Sequence, residues 1–130
     1  MYLTDHWYWD MNPETRKWAQ RYFAKMKKMP SSFQAADYSA ATQYLAAVKV
    51  SGTDSPDKIL AYLKSVKLND MYVKDGYVRA DGRMMNNMYL MQVKDPAESK
   101  YPWDYYKVIE AIPSEKIYTT KSESKCALWK

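Results

Sequence analysis

Cysteine, histidine and glycine are almost missing from this 130-residue chain, which has 1 Cys, 1 His and 3 Gly. The single cysteine, Cys126, excludes an internal disulfide framework and any cysteine-rich zinc site. With His6 as the only histidine, neither a His-based metal cluster nor a triad that needs a second imidazole can be assembled. Three glycines cannot supply a G-x-G-x-x-G turn or a P-loop, and neither pattern occurs. Apolar runs of membrane-spanning length are absent too, so no segment reads as a span. The opening Met1-Tyr2-Leu3-Thr4 meets Asp5 and His6 at once, where a signal peptide would place a basic patch and an apolar stretch. The expectation is a cytosolic chain or one whose true N-terminus lies upstream.

What is present is mostly aromatic and soft. The chain is 47% apolar and 15% aromatic, with 13 Tyr, 5 Trp and 9 Met against 2 Phe. Tyrosine and tryptophan combine apolar area with a polar handle, which suits contact surfaces. Twenty Lys+Arg against 15 Asp+Glu leave a net charge of +5, permitting attraction to nucleic acid or anionic surfaces without requiring it. A chain this long buries roughly two-thirds of its unfolded surface, so one domain with its own core is expected.

Helical signals fill the first half. Asn12, Pro13 and Glu14 make a cap, a proline at the first helical position and an acid at the positive end of the dipole. The spacing of Trp18, Ala19, Tyr22, Phe23 and Met26 then predicts a helix over 12–29, stopped by Pro30. Ser31 and Gln34 stand in capping-box register for a second helix over 32–51, ending at Gly52 and rich enough in alanine to pack on more than one side. Ser55-Pro56-Asp57 starts a third over 55–67. After residue 70 the period changes. A hairpin is expected from strands at 71–73 and 77–79 around Asp75-Gly76, with further strands at 88–93 and 104–109 and a strand near 2–4. Residues 113–130 read as a polar tail with little to bury.

Candidate chemistry is sparse. His6 beside Asp5 could be a base held by a carboxylate, but neighbours on a strand point to opposite faces. Asp75-Gly76 and Asp81-Gly82 lack the twelve-residue calcium spacing and read as turns. Cys126 has no nearby histidine and suits a disulfide to another segment or chain better than a nucleophile. Trp7-Tyr8-Trp9 reads as core, a staple against the first helix, or part of a binding wall. Arg16, Lys17, Arg21, Lys25, Lys27 and Lys28 form a basic face. That face suits the solvated side of an amphipathic helix, or a nucleic-acid-binding module in which it tracks phosphates beside stacking tyrosines.

Order and spacing carry one further reading. The string from Tyr8 to Trp18 (Tyr-Trp-Asp-Met-Asn-Pro-Glu-Thr-Arg-Lys-Trp) is followed by Met29-Pro30-Ser31-Ser32-Phe33-Gln34-Ala35-Ala36-Asp37-Tyr38-Ser39-Ala40. Asp81-Gly82-Arg83-Met84, the strand Met88 to Lys94, Trp103 to Ile109 and Ser122 to Cys126 come after them. Together these resemble the C-terminal portion of type I periplasmic substrate-binding proteins of ABC transporters, the branched-chain amino acid (Leu/Ile/Val) family. The resemblance implies an α/β fold class: part of a two-lobed clam joined by crossing segments, with three helices followed by a small antiparallel strand set, over residues 1–112. It implies that Tyr2-Leu3-Thr4 and Met88 to Val93 are crossings, and that Trp103 onward reaches the C-terminal lobe.

Function follows the same resemblance: a partial solute-binding component of an ABC importer, with a periplasmic parent. Its partners would be a small-molecule ligand (an amino acid or related carboxylate or amide) and the ABC permease. No catalytic residue, metal or cofactor is implied, and no nucleic acid is expected on this reading. Phe33, five residues before Tyr38, matches the family aromatic that lies against the ligand side chain; a core cap under the helix start is the alternative. Asp5, His6 and Trp7 would approach the cleft mouth, which makes His6 and Trp7 candidate ligand contacts beside Phe33. Helix faces left without partners would favour self-association.

Overall fold

A computed structural model describes residues 1–129. Its elements follow the local chemistry closely where that chemistry is capping. Helix α1 (Pro13–Met26) begins at Asn12, whose side chain accepts from the Glu14 and Thr15 amides at 3.0 Å each, while the Asn12 amide donates to Thr15 Oγ1 at 3.1 Å. Two otherwise unpaired donors are satisfied reciprocally. Helix α2 (Ser32–Ser51) is closed the same way, with the Ser31 amide donating to Gln34 Oε1 at 2.8 Å, and it stops at Gly52 in the left-handed region at φ 62°. Helix α3 (Pro56–Ser65) starts on its proline; Ser55 makes no side-chain cap.

The sheet gathers strands from both ends of the chain. β1 (Tyr2–Asp5) and β5 (Tyr106–Ile112) flank β4 (Met88–Val93), all antiparallel, with Leu3 opposite Met91 and a register shift between Leu90 and Met91. A second, minimal sheet pairs β2 (Tyr77–Val78) with β3 (Met84–Met85) across the Asp81-Gly82 turn. The fold is therefore mixed α/β, three helices with small antiparallel sheets.

Four expectations are corrected. The 71–73 strand does not form. The Asp70 carboxylate takes the Tyr72 and Val73 amides at 2.8 and 3.0 Å, and the Asp70 amide donates to the Val73 carbonyl at 2.9 Å. Groups needed for a ladder are consumed in a turn. Helix α1 ends before Pro30 because Lys27 turns left-handed at φ 56° and donates its amide to the Phe23 carbonyl at 2.9 Å. The last strand runs to Ile112, beyond the expected 109. Past it the chain packs: a 3₁₀ turn at Ser114–Lys116 buries Ser114, and Tyr118 is half-buried against β1 and β3 neighbours. The polar tail has something to hold after all.

The core sits between α1, α2 and the sheet. Trp7, Tyr8, Trp9, Trp18, Ala19, Ala35, Met71 and Met91 form one buried cluster. Three of the rings find backbone carbonyls for their polar atoms. Trp7 Nε1 donates to the Met71 carbonyl at 3.0 Å, and Trp9 Nε1 and Tyr8 Oη both donate to the Trp103 carbonyl, at 2.9 and 2.7 Å. Asp104, 1% exposed, accepts the Lys94 ammonium and the Lys100 amide. Burial pushes its carboxyl up, and those two donors outweigh burial and hold it below the ordinary value. No buried side-chain polar atom among the described residues lacks a partner. No helix among them is long and apolar enough to cross a membrane.

Candidate functional site

β1 ends where α2 begins, and two short hydrogen bonds fix that meeting. Asp5 Oδ2 accepts from Ser32 Oγ at 2.8 Å, and Asp5 Oδ1 accepts from the His6 amide at 2.7 Å. The carboxylate thus ties the end of β1 to the start of α2 and makes no hydrogen bond to the imidazole. One residue into α2 stands Phe33, 77% exposed. It caps no core within this chain; its ring is presented outward beside the Asp5–Ser32 contact.

Next to Asp5 along the chain, His6 lines a cavity of about 450 Å³. Ala36, Ala40 and Tyr44 of α2, Leu63 of α3 and Met84 of β3 give it an apolar wall. Its polar end is a chain of hydrogen bonds. His6 Nδ1 lies 2.8 Å from the Asn87 carbonyl, which can only accept, so that nitrogen carries the proton. His6 Nε2 can then only accept, so the single Tyr118 hydroxyl proton faces two acceptors, Asn86 Oδ1 at 3.0 Å and His6 Nε2 at 3.3 Å. The His6 and Tyr118 rings stack at 6.2 Å between centroids, 14° apart. Tyr72 lines the same cavity. Burial pushes the Tyr72 and Tyr118 hydroxyls above the usual phenol value, so both keep their protons at neutral pH and serve as hydrogen-bond groups, not bases. An apolar wall closed by a few fixed polar groups is the architecture of a small-molecule pocket.

The three residues singled out from sequence therefore part company. His6 lines the cavity; Phe33 is exposed and is not among its lining residues. Trp7, only 3% exposed and packed edge-on against Trp18 at 5.6 Å, offers a ligand no face; its work is in the core. Sequence reasoning missed Asn86, Tyr72 and Tyr118. The polar pair Asn86-Asn87 inside a methionine-rich strand run, and an aromatic inside a polar tail, were the signals available.

The other candidates resolve quietly. Arg16 of the basic face is paired with Asp10, and Glu14 draws in Lys74 at 2.6 Å, while Lys17, Arg21 and Lys25 stay exposed. Asp81 closes its turn by a two-pronged contact with Arg79, at 2.9 and 2.7 Å. Cys126 is exposed and free. Among the described residues no group of three His, Cys, Asp or Glu could hold a metal.

Comparison with known proteins gives this geometry its setting. A family model described as periplasmic binding protein matches residues 1–100. A crystal structure of a periplasmic binding protein from Burkholderia mallei is 60% identical, with a TM-score of 0.96 over 100% of this chain. A branched chain amino acid ABC transporter periplasmic ligand-binding protein from Burkholderia xenovorans is 43% identical, with a TM-score of 0.95 over 99%. A leucine binding protein from Thermotoga maritima, 19% identical, shares the fold at a TM-score of 0.66 over 90% of this chain and 32% of its own. Against both Burkholderia proteins the chain spans only 34% of their length. No curated protein matches the sequence.

Proposed function

The chain belongs to the periplasmic binding protein family, and on that premise we propose that it supplies one side of the solute site of an ABC importer's binding protein. The solute is an amino acid or a related small carboxylate or amide, held in the periplasm and handed to the permease by the full-length parent. Binding is its whole chemistry; no residue here is asked to catalyse.

The observation that carries this reading is Phe33. Single exposed apolar residues are ordinary, but Phe33 also stands at the position matched to the family aromatic that lies against the ligand side chain, and its ring is 77% exposed at the first turn of α2. The Asp5–Ser32 hydrogen bond holds that turn to the end of β1, so Phe33 is presented from a fixed position. An exposed ring of this kind is one wall of a two-sided site, so the 130 residues alone are expected to bind leucine weakly or not at all.

The test is a chimera in which this chain replaces the matched third of the Burkholderia mallei protein, titrated calorimetrically with branched-chain and aromatic amino acids, small carboxylates and amides. Saturable binding is expected, weakened about tenfold by Phe33→Ala, the scale of a contributing interface aromatic. A folded chimera that binds none of these solutes refutes the proposal, as would micromolar binding of leucine by the isolated chain.

A further inference from the structure

The chain has four arginines, and the surroundings of three explain them. Arg16 pairs with Asp10, Arg79 grips Asp81 with two nitrogens, and Arg21 lies in solvent on α1. Arg83 is different. It lines the His6 cavity, its guanidinium carbon lies over the Tyr118 ring at 5.1 Å from the centre, and it forms no ion pair among the described residues. No aspartate, glutamate or lysine shares that lining, so Arg83 is its one permanent charge.

The nearby anions are engaged elsewhere. Asp70 takes the Ser39 hydroxyl and the Gln43 amide at 2.6 and 3.1 Å, so the donors of two cavity residues are turned away toward it. Asp5 is held by Ser32 and the His6 amide, and Asp81 by Arg79. The Tyr118 hydroxyl, pushed up by burial, stays uncharged. What remains is an apolar wall of Ala36, Ala40, Leu63 and Met84 with one uncompensated cation. A guanidinium lying over a ring keeps its N–H donors at its edge, in the fork that matches a carboxylate.

We propose that Arg83 holds the carboxylate of a small acid whose apolar body lies against this wall. The inference rests on the solute-binding reading above and narrows it: among amino acid, carboxylate and amide, the group selected by this cavity is the anionic carboxylate. An uncharged amide of the same shape leaves the guanidinium without a counter-charge. An ammonium meets no acid in the lining, so an amino acid would have to be held by that end elsewhere.

The cavity lies wholly within this chain, so the purified chain serves for the test. It is titrated with 4-methylpentanoate and, separately, with 4-methylpentanamide, which differ in charge and hardly in shape. Carbon-detected NMR of the Met84 and Leu63 methyl groups reads occupancy of the wall. The carboxylate is expected to bind at least about tenfold more tightly than the amide, a preference abolished by Arg83→Met and unchanged by Arg21→Met. Near-ultraviolet circular dichroism of the Trp7 and Trp18 core confirms that each variant is folded. Three results overturn the proposal: neither probe shifts the cavity methyls, both bind alike, or the preference survives Arg83→Met. Leucine binding by the Burkholderia chimera alongside any of these keeps the solute reading and strikes Arg83. A carboxylate preference here beside a folded chimera that binds no solute keeps Arg83 and strikes that reading.

Discussion

Replacing Trp7 separates the core from the site. Trp7 is 3% exposed, donates Nε1 to the Met71 carbonyl at 3.0 Å, and meets Trp18 edge-on at 5.6 Å. In Trp7→Phe a ring remains, but the buried Met71 carbonyl loses its donor, which costs about 1–3 kcal/mol. In Trp7→Ala the ring goes as well. Burying roughly 200 Å² of aromatic surface at about 25 cal/mol/Å² is worth up to about 5 kcal/mol, and measured aromatic-to-alanine losses of about 3–5 kcal/mol agree. The expected order of stability is wild type, then Trp7→Phe lower by about 2 kcal/mol, then Trp7→Ala lower by about 4. Urea unfolding followed by far-ultraviolet circular dichroism reads these differences without depending on the emission of the removed indole. A Trp7→Phe midpoint indistinguishable from wild type refutes the hydrogen-bond argument. A Trp7→Phe chimera of unchanged stability that loses solute affinity would return Trp7 to the binding wall.

Three further outcomes can be checked with the same methods. Asn12→Ala, which removes the α1 cap, is expected to cost about 1 kcal/mol, against near-neutrality for Ser55→Ala, whose side chain caps nothing. Gly76→Ala is expected to destabilise by about 1–3 kcal/mol in urea titrations, because a Cβ there would meet Val73 Cγ2 and Met84 Cε far inside van der Waals contact. Arg79 holds the Asp81 carboxyl down at about 2, from an ordinary 3.8. The depressed folded value means that this turn's ionic contribution is complete above pH 3.8 and is lost as pH falls through 2. Carboxyl-carbon NMR should place the Asp81 midpoint near 2 and, in Arg79→Met, closer to 3.8; an unshifted wild-type midpoint removes the argument.

Local chemistry was readable wherever a few neighbouring residues settle the outcome. Asn12-Pro13 and Ser31/Gln34 announce their helix starts because a cap is a contest among adjacent backbone donors, and nothing distant decides it. Asp70 shows the limit of the same reasoning. Met71-Tyr72-Val73 has the composition of a strand, but one carboxylate placed before it captures two of its amides. The aromatic run Trp7-Tyr8-Trp9 was legible as a packing cluster in kind, though not in partner: Met71 and Trp103, which accept its hydrogen bonds, lie 64 and 94 to 95 positions away.

The candidate site divides along the same line. Phe33 and His6 were named from the family resemblance, whose motifs sit beside element boundaries that the sequence marks. Asn86, Tyr72 and Tyr118 were not, because what joins them to His6 is a set of contacts spanning up to 112 residues. By itself the sequence determined the three helices, the scarcity of groups for metal or covalent chemistry, and the family resemblance. Tertiary structure alone decided that Trp7 is core, that the C-terminal segment returns to close the His6 cavity, and that Arg83 lines that cavity without an acidic partner among the described residues. Burial is a property of the whole assembled surface, and no window of neighbouring residues contains it.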